Sequence, residues 1–434
     1  MKQSLTPISH PVICDVSLPG SKSMCNRALL IAAMAKGITS LSNMLFSDDV
    51  EACIEALGVL GVQLDIHRED RRIVVRGCNG EFPNKHVQLY TREAGTLTRF
   101  LIPLCATQNH GSFNFSASER MMERPLSELM EVLEAQGCEV EYLDKQGYMP
   151  FNLKPHGLRG GCAKICGKKS SQFLSGLLLA SPFAKQDLHL VSGADHQQPY
   201  VKMTVAMMSR FGIATTVQNN RYGIVSGKNY KGCNYPIEPD LSTASYFWAL
   251  AAITRGKICV RHTTLDSHQG DIRFASVLEE MGCQIEYTDR GIIVTGCAEL
   301  KGVSINMRNF SDTFMTVAAV AVFAKGETFI EGLSHTRLQE SDRVAAMSEG
   351  LQRFGVIVEA TEDNIKIIPN LSALHGAEVS SHNDHRIAMS IALLGLKVSG
   401  VVIDGAECVK KTCPDYFERM AKALSIEENM RALR

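Results

Sequence analysis

Small apolar residues recur along this chain in blocks that end at a glycine and lead into a strand-like stretch, at Ala28–Gly37, Phe100–Gly111, Tyr246–Gly256, Thr316–Gly326 and Ile387–Gly400. Subtracting the glycine positions gives spacings of 74, 145, 70 and 74 residues. The 145 is two periods, and its missing member falls at Phe173–Gln186, which runs into the strand-like Leu188–Val191. A second series interleaves with the first. Amphipathic helices followed by alternating strands end at Gly61, Gly137, Gly212, Gly282 and Gly355, spaced by 76, 75, 70 and 73 residues. Helices apolar all round are expected to be buried, amphipathic ones to cover them, and glycine suits the left-handed cap that ends a helix.

Each repeat of about 70–75 residues thus holds two helices and several strands, and six repeats nearly fill the chain. The last is short, because the helix Asp415–Leu424 runs out into a polar tail. The strand Val12–Leu18 has no partner in its own repeat and is expected to complete the sixth. The chain would then leave one domain near Gly20 and return near Asp240, giving a lobe of residues 1–20 with 241–434 and a lobe of residues 21–240. Strand and helix alternate throughout, so the expected class is α/β.

Composition narrows the function classes. A chain of 434 residues with 45% hydrophobic residues exceeds the size at which one core stops growing. Lys and Arg number 45 against 46 Asp and Glu, so no overall field favours nucleic acid or an acidic membrane, and any anion specificity must be local. The start Met1-Lys-Gln-Ser-Leu-Thr-Pro lacks the apolar core of a secretory signal, and runs such as Val317–Ala324 are too short to span a bilayer, so a cytoplasmic protein is expected. The 14 cysteines form no Cys-x-x-Cys pair, which favours reduced core thiols over a zinc site or a disulfide frame.

Candidate chemistry collects where the small-residue helices begin. In Leu18-Pro-Gly-Ser-Lys-Ser-Met-Cys-Asn-Arg27, Ser21 and Ser23 are positioned to cap the first turn, and Lys22 and Arg27 add charge where the helix dipole is already positive. Such an end suits phosphate or carboxylate; taken alone it also reads as an ordinary capped helix with solvated basic residues. Gly95, in Arg92-Glu-Ala-Gly-Thr-Leu-Thr-Arg99, allows close approach of a ligand. Ser118–Leu126 carries Arg120 and Arg124 in a loop before a helix that Pro125 can start. Gly167–Phe173 offers hydroxyls, an amide and cations, a nest for an oxyanion or simply a polar turn. In Arg308–Phe314 a carboxylate, Asp312, stands where other repeats put neutral or basic groups. Thr336–Arg343 places Glu340 and Arg343 three apart on a helix face, and the sixth repeat adds Arg386 and Lys411.

Together Leu18–Arg27, Ser118–Leu126, Ser170–Gln172, Glu340–Arg343, Asp384–Arg386 and Lys411–Phe417 resemble, in order and spacing, the motif set of the 5-enolpyruvylshikimate-3-phosphate synthase family of enolpyruvyl transferases. The resemblance implies two similar lobes, each of three βαβαββ units in an inverse α/β barrel, closing over substrates in the cleft between them. It implies a reaction in which the 5-hydroxyl of shikimate 3-phosphate attacks C2 of phosphoenolpyruvate while C3 is protonated, and a tetrahedral intermediate then loses phosphate. By resemblance, Gly95, Arg124, Arg343, Arg386 and Lys411 hold phosphoenolpyruvate, and Lys22, Ser23, Arg27, Ser170, Ser171, Gln172 and Tyr200 hold shikimate 3-phosphate. Gln339 and His385 join the substrate-binding set. Asp312 accepts the 5-hydroxyl proton, Glu340 moves protons at C3, and Lys22 assists both. No metal or cofactor is implied, the partners are these two small molecules, with neither nucleic acid nor membrane, and the chain is expected to be monomeric.

Three positions depart from the family pattern. Arg92-Glu93 stand where Gly-Asn or Gly-Ser usually precedes Ala-Gly-Thr, Gln339 stands in place of a Lys, and Gln197-Gln198 replace a common Ser and Lys before Pro199-Tyr200. The sister family acting on UDP-N-acetylglucosamine shares the six-unit plan. It has Lys-Asn where this chain has Lys22-Ser23, and a loop cysteine that Ser118–Glu123 lacks. A non-catalytic anion-binding protein on the same scaffold would not need two carboxylates among its cations.

Overall fold

The computed structural model describes residues 1–167, 170–193 and 199–425. Lys168 and Lys169, the Gln197-Gln198 departure and the end of the polar tail lie outside the described residues. The chain divides into two compact units, Gly20–Ile237 and Met1–Pro19 together with Glu238–Arg434.

Within Gly20–Ile237 three inner helices, Lys22–Met34, Gly95–Ala106 and Ser171–Ala180, are buried along nearly their whole length, as sequences apolar on every face require. Gly95–Ala106 packs on both of the others. Three four-stranded sheets accompany them. In the second, His86–Tyr90 runs parallel to Ser112–Ser116, which pairs antiparallel with Phe151–Lys154, itself antiparallel to Glu139–Tyr142. Gly161–Ile165, Leu188–Ser192, Arg221–Ile224 and Thr215–Gln218 repeat that order in the third. Arg72–Arg76 shows the alternation, sending Ile73 and Val75 into the core and leaving Arg76 exposed.

The other unit repeats the plan around Leu241–Thr254, Phe314–Ala321 and His385–Gly395, which pack on one another in all three pairs. The amphipathic helices of both units, Asp48–Val59, Ser127–Ala135, Pro199–Arg210, Arg273–Glu280 and Arg343–Arg353, are each followed within two residues by the expected glycine in the left-handed region, with φ between +84° and +105°.

The N-terminal strand does not go where the spacing suggested. Ile13–Val16 pairs in parallel with Lys257–Arg261, in the fourth repeat and not the sixth. The parallel partner in a complete repeat is the strand just before its inner helix, as His86–Tyr90 precedes Gly95–Ala106. Asn234–Pro236, the strand before Leu241–Thr254, instead pairs with Ile38–Ser42 in the first repeat. That leaves one edge of Lys257–Arg261 open, and Ile13–Val16 fills it. The sixth repeat is completed by Lys2–Ser4, antiparallel to Val402–Asp404.

A glycine that ends a helix differs in cost of replacement according to what surrounds it. At Gly37 (φ +97°) an added Cβ meets nothing within 4 Å, so Gly37→Ala carries only backbone strain, about 1 kcal/mol. At Gly355 (φ +85°) the Cβ lies 2.4 Å from the Ala373 carbonyl oxygen, and Gly355→Ala is expected to lower the thermal midpoint clearly more than Gly37→Ala. Equal midpoints for the two variants would refute the distinction.

Candidate functional site

In Gly20–Ile237 cations stand at the starts of the first two inner helices. Lys22 opens its helix, but Ser21 at the cap position makes no side-chain cap bond; Lys22 Nζ instead pairs with Asp49 Oδ2 at 3.0 Å. Both groups are buried, so neither charge is tolerable without the other. Arg27 is enclosed as well. Its Nε donates to Thr204 Oγ1 (2.8 Å), its Nη1 to the Ser23 carbonyl (2.9 Å) and its Nη2 to the Tyr200 carbonyl (3.1 Å), while the guanidinium lies over the Phe100 ring. Burial pulls its pKa down to about 10, which leaves it charged at neutral pH. Ser23 and Tyr200 thus meet Arg27 through their backbones.

The second and third repeats meet at Gln172. Its Oε1 accepts from Arg99 Nη1 at 2.6 Å and its Nε2 donates to Thr96 Oγ1 at 3.1 Å. Ser170 caps the helix Ser171–Ala180 by accepting from the Gln172 N–H. Arg124 is buried after the short helix Glu119–Met122, whereas Arg120 sits exposed on that helix and pairs with Glu123. A Cβ on Gly95 would lie 2.9 Å from Arg124 Nη1 and 3.1 Å from Arg99 Nη1. A side chain there would press on both guanidiniums at the start of the Gly95–Ala106 helix. Arg92, one of the departures, takes a left-handed backbone (φ +52°) and turns its side chain to Glu55.

In the second unit the candidates form one buried ionic cluster around Arg343, 1% exposed. Its Nη1 lies 3.0 Å from Asp312 Oδ1 and also bonds Gln339 Oε1; its Nη2 lies 2.9 Å from Glu340 Oε2 and its Nε 2.8 Å from Asp384 Oδ2. Arg386 Nη2 holds the other Asp312 oxygen at 2.8 Å, and Lys411 Nζ lies 3.6 Å from Glu340 Oε1. Burial works against the Arg343 charge, but Asp384, Glu340 and Asp312 together override it and hold its pKa above the usual arginine value.

Local structure explains how these groups are aimed. Arg343 begins the helix Arg343–Arg353, with Asp342 as its cap, so Glu340 lies in the bend before it and the two do not share a helix face as expected. Asp312 occupies a tight turn, Ser311–Thr313, and both its oxygens face arginines. Asp384 caps the helix His385–Gly395 by accepting from the Arg386 N–H (3.0 Å) and also takes the Ser341 hydroxyl (3.0 Å). His385 is fully buried with Nδ1 3.7 Å from Asp384 Oδ1, and Lys411 ends the turn Ala406–Lys411.

Five groups escaped the sequence reading. Asp49, Thr96, Arg99 and Asp384 are the partners that hold Lys22, Gln172 and Arg343 in place. Asp49 left a trace in the Asp48-Asp49 pair at a helix start, and Asp384 in its place before His-Arg. The fifth is Asp271, 3% exposed, whose Oδ2 accepts from Ser242 Oγ at 2.6 Å. Burial, and then the nearby Asp312 charge, raise its pKa to about 7.

Three repeats to a unit, each with a buried apolar helix and a mixed sheet, and cations and carboxylates gathered near the helix starts, are the α/β arrangement that the resemblance to enolpyruvyl transferases implied. Comparison with known proteins narrows this. The sequence signature of EPSP synthase (3-phosphoshikimate 1-carboxyvinyltransferase) matches residues 7–420. A protein of Nostoc punctiforme named 3-phosphoshikimate 1-carboxyvinyltransferase is 40% identical over 96% of this chain and 98% of its own length. A relative of the same name from Shewanella loihica is 40% identical over 97% of this chain and 99% of its own. The solved EPSP synthase of Acinetobacter baumannii superposes with a TM-score of 0.83 at 25% identity, covering 97% of this chain and 98% of that one. The chain belongs to the EPSP synthase family.

The cluster also makes a stability prediction. Asp384→Ala leaves Arg343 Nε and the Ser341 hydroxyl without their acceptor in a buried setting, and is expected to cost on the order of 3–5 kcal/mol. Chemical denaturation measures it; a loss below about 1 kcal/mol would mean that the cluster reorganises around the gap.

Proposed function

We propose that this chain transfers the enolpyruvyl group of phosphoenolpyruvate to the 5-hydroxyl of shikimate 3-phosphate with release of phosphate, a step of aromatic amino-acid biosynthesis. Family membership supplies the reaction. The observation that carries it to particular residues is the buried cluster in which Asp312 lies against Arg343 and Arg386, and Glu340 against Arg343 and Lys411. Proton transfer beside a bound anion calls for acid–base groups placed among its cations, and Asp312 and Glu340 are such groups. The relatives are named for the shikimate acceptor, and the UDP-N-acetylglucosamine reading is not favoured.

In this reading Arg124, Arg343, Arg386 and Lys411 bind phosphoenolpyruvate, with the Gly95 N–H, and planar guanidiniums match its carboxylate and phosphate. Lys22, Ser23, Arg27, Ser170, Ser171, Gln172 and Tyr200 bind shikimate 3-phosphate, and Gln339 and His385 complete the binding set. The acceptor oxygen attacks C2 as its proton passes to Asp312, and a proton reaches C3, turning methylene into methyl. Glu340 and Lys22 manage that proton. In collapse the C2–O bond to phosphate breaks, C3 gives its proton back and the vinyl ether forms. Residues 21–240 and residues 1–20 with 241–434 are the two domains, and both supply residues to the reaction. The protein acts as a cytoplasmic monomer.

The test is phosphate release from phosphoenolpyruvate that depends on added shikimate 3-phosphate; release without it, or none with it, would overturn the reading. Asp312→Asn keeps shape and removes the base, so kcat is expected to fall by about 10²–10⁴ with shikimate 3-phosphate affinity kept within a few fold. Equal losses in binding and turnover would make Asp312 a structural residue. Glu340→Gln is expected to slow exchange of the C3 protons of phosphoenolpyruvate, followed by NMR in deuterated water; unaltered exchange would remove Glu340 from that role.

A further inference from the structure

We infer that Asp271 is a positioning residue whose charge state sets how firmly Arg386 holds a substrate anion and how strong a base Asp312 is. The inference rests on the proposed reaction. Asp271 lies in the turn Gly270–Ile272, which packs against the turn Ser311–Thr313 that carries Asp312 and against the helix Leu241–Thr254. It is buried, with Oδ2 taken by the Ser242 hydroxyl, and among the described residues no donor reaches Oδ1.

The surrounding charges decide its state. The cluster holds three cations, Arg343, Arg386 and Lys411, against three carboxylates, Asp312, Glu340 and Asp384. Asp271 is a fourth carboxyl in a balanced set. The charged groups facing it are Asp312, Arg386 and Asp240, the last capping the helix Leu241–Thr254 by accepting from the Thr243 N–H. Two like charges and burial outweigh one arginine and one hydroxyl, so the acid form persists up to a pKa of about 7. Below that Asp271 is neutral and Arg386 serves Asp312 and the incoming anion.

As the pH rises through 7, Asp271 ionises, draws on the Arg386 charge and repels both Asp312 and an approaching anion. An anion bound at Arg386 must in turn favour the acid form, so binding takes up a proton. The raised pKa also means that the folded state is favoured by protonation here: this contribution is full below the ordinary aspartate pKa and is lost as the pH rises through about 7.

The experiment is the pH dependence of kcat and of KM for phosphoenolpyruvate from pH 6 to 8.5 in the full chain. Asp271→Asn mimics the protonated carboxyl, so the variant is expected to match the natural protein at pH 6. At pH 8.5 the natural KM should exceed that of the variant by about fivefold or more. The titration of phosphoenolpyruvate itself is common to both proteins and cancels. Ser242→Ala removes the hydroxyl that favours the ionised form and should move the natural inflection to higher pH. Parallel pH profiles for the natural protein and Asp271→Asn, or a loss uniform in pH with a lowered thermal midpoint, would overturn the inference. If Asp271→Asn does not fold, an unshifted inflection in Ser242→Ala overturns it. Absence of shikimate 3-phosphate-dependent phosphate release in the natural protein would instead overturn the reaction assignment beneath it.

Discussion

Arg343, with 1% of its surface exposed, carries its charge into the protein interior against three carboxylates, without which that charge would be strongly destabilising. Those carboxylates come from separate stretches, the turn at Asp312, the bend at Glu340 and the helix start at Asp384. Satisfying one buried charge therefore fixes the relative placement of three segments of the unit. Arg386 and Lys411 then attach to Asp312 and Glu340, so the same pairing that stabilises the fold also gathers acids and bases at one spot. An anion that competes for these cations would release carboxylates at the moment they are needed for proton transfer.

The inner helices make this gathering possible. Their apolar faces all round bury them, which leaves their first turns as the places where polar side chains can stand. Four of the unpaired N–H groups in a helix start make that end positive before any side chain is counted. Asp384 uses one such N–H and Arg343 at once, and Ser170 uses another in the other unit. Where a helix start lacks a side-chain cap, as at Ser21, a charged pair such as Lys22 with Asp49 occupies the position.

Long-range strand pairing ties together distant parts of the sequence within each unit. Ile13–Val16 serves the fourth repeat and Asn234–Pro236 serves the first; Gly20–Ile237 is one contiguous piece of sequence, while the other unit joins Met1–Pro19 to Glu238–Arg434. Each unit's first sheet is completed by a strand distant in sequence, which makes the segments leading up to the 19/20 and 237/238 boundaries structural parts of the sheets they join.

The repeat, the buried helices and the left-handed glycines that end the amphipathic helices were readable in the sequence, because period and side-chain size are local properties. So were the cations and acids, since Lys22, Arg343 and Arg386 stand at recognisable helix starts and Arg124, Asp312, Glu340 and Lys411 in recognisable turns. Partnership was not readable. Pairing of Ile13–Val16 with the fourth repeat depends on which sheet edge lies open, and an open edge exists only once Asn234–Pro236 has gone elsewhere. Asp271 looks like any acid in a turn until the chain buries it beside Asp312 and Arg386. Burial and the neighbours that oppose or favour a charge belong to the folded chain alone, and they decide which of many acids titrates near neutral pH.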